Sequence, residues 1–87
     1  MTWRELQVLA SVERLSGSGS SYGAAIANDI AWRSGQELSP GHVYTLLARL
    51  ASYGYIDCIP AKTGWTRTYK VIPTGREALN EARASLE

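Results

Sequence analysis

Apolar residues recur at helical spacing in four segments of this chain, and the stretch between the last two alternates instead. In the first segment Thr2 and Glu5 stand at capping-box spacing, which predicts a helix over about 2–15. Val8, Leu9, Val12 and Leu15 cover one side of it, while Trp3, Leu6 and Ala10 cover another. A helix apolar over most of its girth is usually buried between two layers. Residues 16–21 are glycine and serine only and form a flexible internal loop. A second helix is expected over about 22–34, with Ser21 as its cap and Gly35 as its stop. Its inner face would be Gly23, Ile26, Ala27 and Ile30, with Asn28, Asp29, Trp32 and Arg33 mostly outward.

The third helix, about 40–53, has both ends written in. Ser39 can accept an orphan backbone N–H. Pro40 suits the first helical position, where its missing N–H costs nothing. Gly54 suits a left-handed stop. Val43, Leu46, Leu47 and Leu50 fall on one buried face. The opposite face carries Gly41, His42, Thr45, Ala48, Arg49 and Ser52, which are small, polar or cationic. Residues 55–59 and 66–72 then read as two β-rich strands joined by a short connector containing Gly64, a hairpin spanning 55–72. A last helix, about 74–86, has capping-box spacing at Thr74 and Glu77 and a narrow apolar stripe of Ala78, Leu79, Ala82 and Leu86. The order of elements is that of a winged helix-turn-helix: a mainly α fold with a small β-hairpin, in a single domain over 1–87.

Length and composition narrow the function. A chain of 87 residues buries roughly 60–65% of the surface its unfolded form exposes, enough for one small core. The single Cys58 excludes an intramolecular disulfide and a multi-cysteine zinc site, which permits the reducing cytoplasm expected here. No apolar run approaches the ~20 residues that span a bilayer, and no secretory signal pattern opens the chain, so no membrane role is expected. No nucleophile elbow, phosphate-binding glycine loop or HExxH spacing is present, and neither an enzymatic role nor a cofactor is expected. The formal net charge is only +1, but it is unevenly placed. Between Ile30 and Arg76 lie Arg33, Arg49, Lys62, Arg67, Lys70 and Arg76 against only Glu37 and Asp57. Such asymmetry points to a polyanion facing the middle of the chain.

A helix apolar behind and thin and polar in front fits a DNA major groove. Ser39, Gly41, His42 and Thr45 would lie nearest bases or backbone, and Arg49, in the third turn, would touch phosphate. Ser39 and Gly41 also sit at a helix start, where free N–H groups suit a phosphate oxygen. Tyr44, about 100° from Val43 on the helix, either hydrogen-bonds a phosphate or packs against the wing. On the wing, Lys62, Thr63 and Arg67 would meet phosphates or the adjacent minor groove. Trp65 either presses on the sugar-phosphate edge or packs across the hairpin. Duplex sites are commonly read by two-fold dimers. Trp3 and Leu6 on the first helix, with Leu79, Ala82 and Leu86 on the last, are the expected homodimer interface, in which the last helix packs against the first helix of either chain. The competing class is a winged-helix module that has exchanged DNA for a protein partner, favoured by the near-neutral charge and the apolar first helix.

The run Leu38-Ser39-Pro40-Gly41-His42-Val43-Tyr44, with Leu47, Arg49, Leu50 and Gly54 in register, resembles the PadR family of bacterial transcriptional regulators. Their pattern is Leu-Ser-x-Gly-Thr-Val-Tyr-Pro-x-Leu-x-Arg-Leu-x-x-x-Gly. Tyr22-Gly23-x-x-Ile26, Arg67-x-Tyr69-Lys70-Val71 and Pro73-x-Gly75-Arg76 extend the resemblance over roughly residues 3 to 80. His42 stands where Thr is usual, Thr45 where Pro is usual, and Ile72 where Thr precedes Pro73, which would delay the last helix to Thr74. The resemblance implies sequence-specific binding to double-stranded DNA and transcriptional repression. Family members dimerise through a long C-terminal helix or a larger C-terminal domain, where this chain carries only a short helix, and some sense phenolics or drugs. Nothing in this sequence locates an effector pocket.

Overall fold

The computed structural model describes residues 1–19, 21–60 and 67–85. The elements run α1 (Trp3–Ser16), α2 (Gly23–Ser34), α3 (Pro40–Ser52), β1 (Ile56–Ile59), β2 (Thr68–Val71) and α4 (Pro73–Ser85). The strands pair antiparallel, with Ile56 opposite Val71 and Ile59 opposite Thr68. Helices and hairpin thus form the expected mainly α, winged-helix architecture.

α1 opens on the capping box: Thr2 accepts the Glu5 N–H, and Glu5 accepts the Thr2 N–H. The helix is the hub of the molecule, in contact with α2, α3, α4 and β2. Val8, Leu9 and Val12 are fully buried against Ile26, Ala27 and Ile30 of α2 and the α3 face Val43, Leu46, Leu47 and Leu50. Those α2 and α3 faces are the ones the apolar spacing predicts. Ile56 and Tyr69 close the core from the hairpin, and Leu79 closes it from α4.

Two polar hubs lock α1 to its neighbours. Asp29 of α2 accepts hydrogen bonds from Ser11 and Arg14 of α1 and from Arg33 one turn on. Burial alone would raise the Asp29 carboxyl, but hydrogen bonds from Arg14, Ser11 and Arg33 outweigh it and hold it below the ordinary value. Glu5, buried at the start of α1, also accepts the Tyr53 hydroxyl at 2.9 Å, tying α1 to the end of α3. The Thr2 backbone N–H is the main cause that holds Glu5 low, and the Tyr53 hydroxyl adds to it against the effect of burial.

Three expectations are corrected. Ser21 does not cap α2, whose N-cap is Tyr22 with no side-chain hydrogen bond. The Ser21 hydroxyl is buried and instead donates to the Tyr69 carbonyl and accepts the Tyr69 N–H, so it pins the wing. Thr74 does not cap α4, which begins one residue earlier at Pro73; its hydroxyl donates to the Gly54 carbonyl. Proline at the first position supplies a helical φ without wasting an N–H, so the helix does not wait for Thr74. Leu79, expected as an interface residue with the last helix packed on α1 of either chain, has no exposed surface even in one chain. It does seek an apolar partner, as the stripe predicts, but finds it in α1 of the same molecule.

α4 reaches the core because Gly75 lets it approach. A Cβ at Gly75 would collide with the Tyr55 carbonyl oxygen. The backbone there cannot yield, since the Tyr55 carbonyl accepts the Ile72 N–H at 3.1 Å.

Leu79→Ala is expected to cost roughly 2–5 kcal/mol of stability, measured by urea unfolding. Leu79→Glu is expected to unfold the chain outright, and a folded Leu79→Glu variant would contradict this packing. The pH dependence has a definite sign. Carboxyls held below their ordinary values contribute stability above those values and lose it as pH falls through the folded ones. The thermal midpoint is therefore expected to fall as pH drops below 4.5, the ordinary Glu value, and then 3.8, that of Asp. Glu5→Gln should flatten the upper part of that fall.

Candidate nucleic-acid interface

α3 stands with its apolar face in the core and its front edge outside. The Ser39 hydroxyl accepts the His42 N–H at 3.2 Å, which closes the first turn. Of the first N–H groups of this turn, Pro40 has none and that of His42 is taken, which leaves the Gly41 N–H without an intrahelical acceptor. Gly41, His42, Thr45, Ala48, Arg49 and Ser52 are all exposed, so the polar front is real and continuous over three turns. A Cβ at Gly41 would meet nothing within 4 Å, so this turn can be approached closely from outside.

The Thr45 hydroxyl donates to the Gly41 carbonyl at 3.1 Å. This commits its proton, and the side chain then offers an acceptor oxygen and a methyl group. Those groups suit a base-edge donor or the methyl of thymine. Arg49 lies near the end of α3, close enough to Tyr53 to act electrostatically on its phenol. The Tyr53 phenol is pushed up chiefly by its hydrogen bond to Glu5.

Tyr44 leaves the front edge sideways. Its ring lies over Gly23, the first residue of α2, and it remains 51% exposed. Both readings of this residue are thereby reshaped: it packs, but on α2. Nearby, Tyr69 of β2 points into the core, and burial pushes its phenol up. Tyr44 of α3 and Arg67, just before β2, both act on that phenol electrostatically. Arg67 and Lys70 are exposed. Lys62, Thr63 and Trp65 lie outside the described residues.

The wing is held in place by the chain just before α2. Besides the two hydrogen bonds at Ser21, Tyr69 donates its N–H to the Ser21 carbonyl at 3.0 Å, and Tyr22 bridges to Thr68. Sequence reasoning missed this joint. Its only signal was the pair Tyr22-Gly23, a glycine placed on a helix face with no turn to require it.

Away from this surface, α1, α2 and α4 border a groove of about 520 Å³. Trp3 and Leu6 line it, with Leu79 on its floor and Arg14, Arg33 and Arg83 among its walls. Trp3 is 61% exposed, whereas Leu6 and Ala82 are half-buried. Leu86 lies outside the described residues. Trp32, expected to face mostly outward, is 88% exposed. Among the described residues no cluster of three or more His, Cys, Asp or Glu is placed to hold a metal. Nor is any helix among them long and apolar enough to cross a membrane.

Comparison with known proteins agrees with this geometry. A transcriptional regulator from Clostridium thermocellum superposes with a TM-score of 0.77 at 19% identity, over 94% of this chain and 78% of that one. A protein of Archaeoglobus fulgidus superposes with a TM-score of 0.73 at 15% identity, over 99% of this chain and 87% of that one. At such identities the likeness speaks for the fold. No curated protein sequence matches the chain. The sequence model of the PadR-like transcriptional regulators matches residues 12–81, from the middle of α1 into α4. With four helices, a two-stranded wing and that match over most of its length, the chain belongs to the PadR-like family of transcriptional regulators.

Proposed function

We propose that the chain, as a single winged-helix unit over 1–87, binds double-stranded DNA in a sequence-dependent way and acts in the cytoplasm as a repressor. It has no enzymatic role in this reading. The observation that carries it is the exposed front of α3, where Gly41, His42, Thr45, Ala48, Arg49 and Ser52 line one side of a helix whose other side is core. α3 enters the major groove with His42 and Thr45 at the base edges. Ser39, Gly41, Tyr44 and Arg49 meet the backbone. Lys62, Thr63 and Arg67 reach phosphates or the minor groove beside it.

A two-fold site calls for two copies, and the groove between α1 and α4 is the face proposed for their contact. Trp3 is the residue most open to a second copy, with Leu6 and Ala82 at its side. Leu79 supports that face from beneath and takes no part in it.

Three measurements bear on this reading. The double change His42→Ala and Thr45→Ala is expected to relax the preferred sequence, found by selection from random duplexes, more than it lowers affinity for random DNA. An unchanged preference would place base recognition elsewhere. Neutralising Lys62 and Arg67 together should weaken binding to every duplex and reduce the salt slope by about one unit for each phosphate that is no longer neutralised. A protein-partner module would show no duplex binding even at low salt. For assembly, Trp3→Ser is expected to leave the fold intact and shift sedimentation toward the monomer. A wild-type chain that is monomeric at high concentration, both free and on DNA, would exclude the dimer.

A further inference from the structure

Gly23 has no backbone reason to be glycine. It is not among the residues with positive φ, which among the described residues are Gly19, Gly35 and Gly54. It opens α2, where alanine is the better helix former. It is buried, and a Cβ built on it would stand 2.5 Å from Tyr44 Cζ and 2.7 Å from both Cε1 and the hydroxyl oxygen. The space a side chain would occupy is filled by the far end of the Tyr44 ring. Gly41 makes the contrast, since a Cβ there meets nothing.

We propose that Gly23 is a positioning residue of the DNA-binding surface, which seats the Tyr44 ring so that its hydroxyl meets a backbone phosphate. The inference rests on the DNA-binding reading above. One side of the ring rests on α2, and the remaining 51% of the residue's surface is open to a ligand. A long aromatic side chain on a helix front would otherwise sample several rotamers, and ordering it on binding costs entropy. Contact with the α2 backbone removes that freedom in advance. The location suits a phosphate in that reading, because Tyr44 stands beside the exposed polar front of α3 with about half of its surface open. A phosphate oxygen there meets a phenolic O–H held in place by the α2 backbone.

The test is a double-mutant cycle on equilibrium binding to a random-sequence duplex at fixed low salt, because a phosphate contact does not depend on sequence. Tyr44→Phe keeps the ring and removes the hydroxyl; it is expected to weaken binding roughly tenfold. Gly23→Ala should fold, since Tyr44 can swing into solvent, and should weaken binding to a similar degree. The two together should bind no more weakly than either alone. Gly23→Ala binding like the wild type would overturn the inference and leave the DNA reading standing, as would losses that multiply. If Gly23→Ala alone does not fold, Gly23→Ala with Tyr44→Ala relieves the collision. That pair should bind as Tyr44→Ala does, and a further loss would overturn the proposal. Wild-type chain that binds no duplex at all would overturn both readings together.

Discussion

A two-stranded hairpin is at best marginal in water, so a wing exists only where something outside it holds it down. Here the holding point is the Ser21 residue that precedes α2. Its hydroxyl serves both backbone groups of Tyr69, and its carbonyl takes the Tyr69 N–H as well. Tyr22 adds a bridge to Thr68. The Tyr69 ring is pressed into the core by the same contacts. The wing and the start of α2 are therefore joined by Ser21 and Tyr22, with the buried Ser21 hydroxyl using its hydrogen-bonding capacity inside the protein.

In the proposed DNA-binding role that joint matters, because a contact surface built from two elements needs a fixed spacing between them. α3 is positioned by its apolar face on α1 and α2, and β2 by Ser21. Both are referred to α2 and the residues just before it, so the helix front and the wing share one frame. Tyr44 rests on that frame too, over Gly23. A contact surface of this kind is preorganised, and less ordering entropy opposes binding.

The opposite side of the molecule follows another logic. Glu13 pairs with Arg83 at 3.2 Å, and Asp29 gathers Arg14 and Arg33, so the cations around the groove between α1 and α4 are partly neutralised within the chain. A polyanion gains less there than at Arg49 of α3 or at Arg67 and Lys70 of the hairpin, which stand exposed. The overall charge of +1 therefore understates how the two faces differ.

Local signals in the sequence determined a good deal. Helix spans, the capping box at Thr2, the Ser39 cap, the stops at Gly35 and Gly54, and the buried faces of α2 and α3 all follow from interactions within one or two turns. Their energies are short-ranged, so spacing alone reveals them. The front of α3 was legible for the same reason, as the complement of its apolar face. What tertiary structure decided is which partner a group takes when several are chemically equal. Ser21 can cap a helix or bridge to a strand, and the choice depended on where Tyr69 arrives, 48 residues later. The apolar stripe of α4 demands burial without naming the surface that provides it, and Gly75 settled the matter by admitting the helix against Tyr55. Gly23 likewise marks a missing side chain, and only the packed molecule reveals that Tyr44 occupies the space.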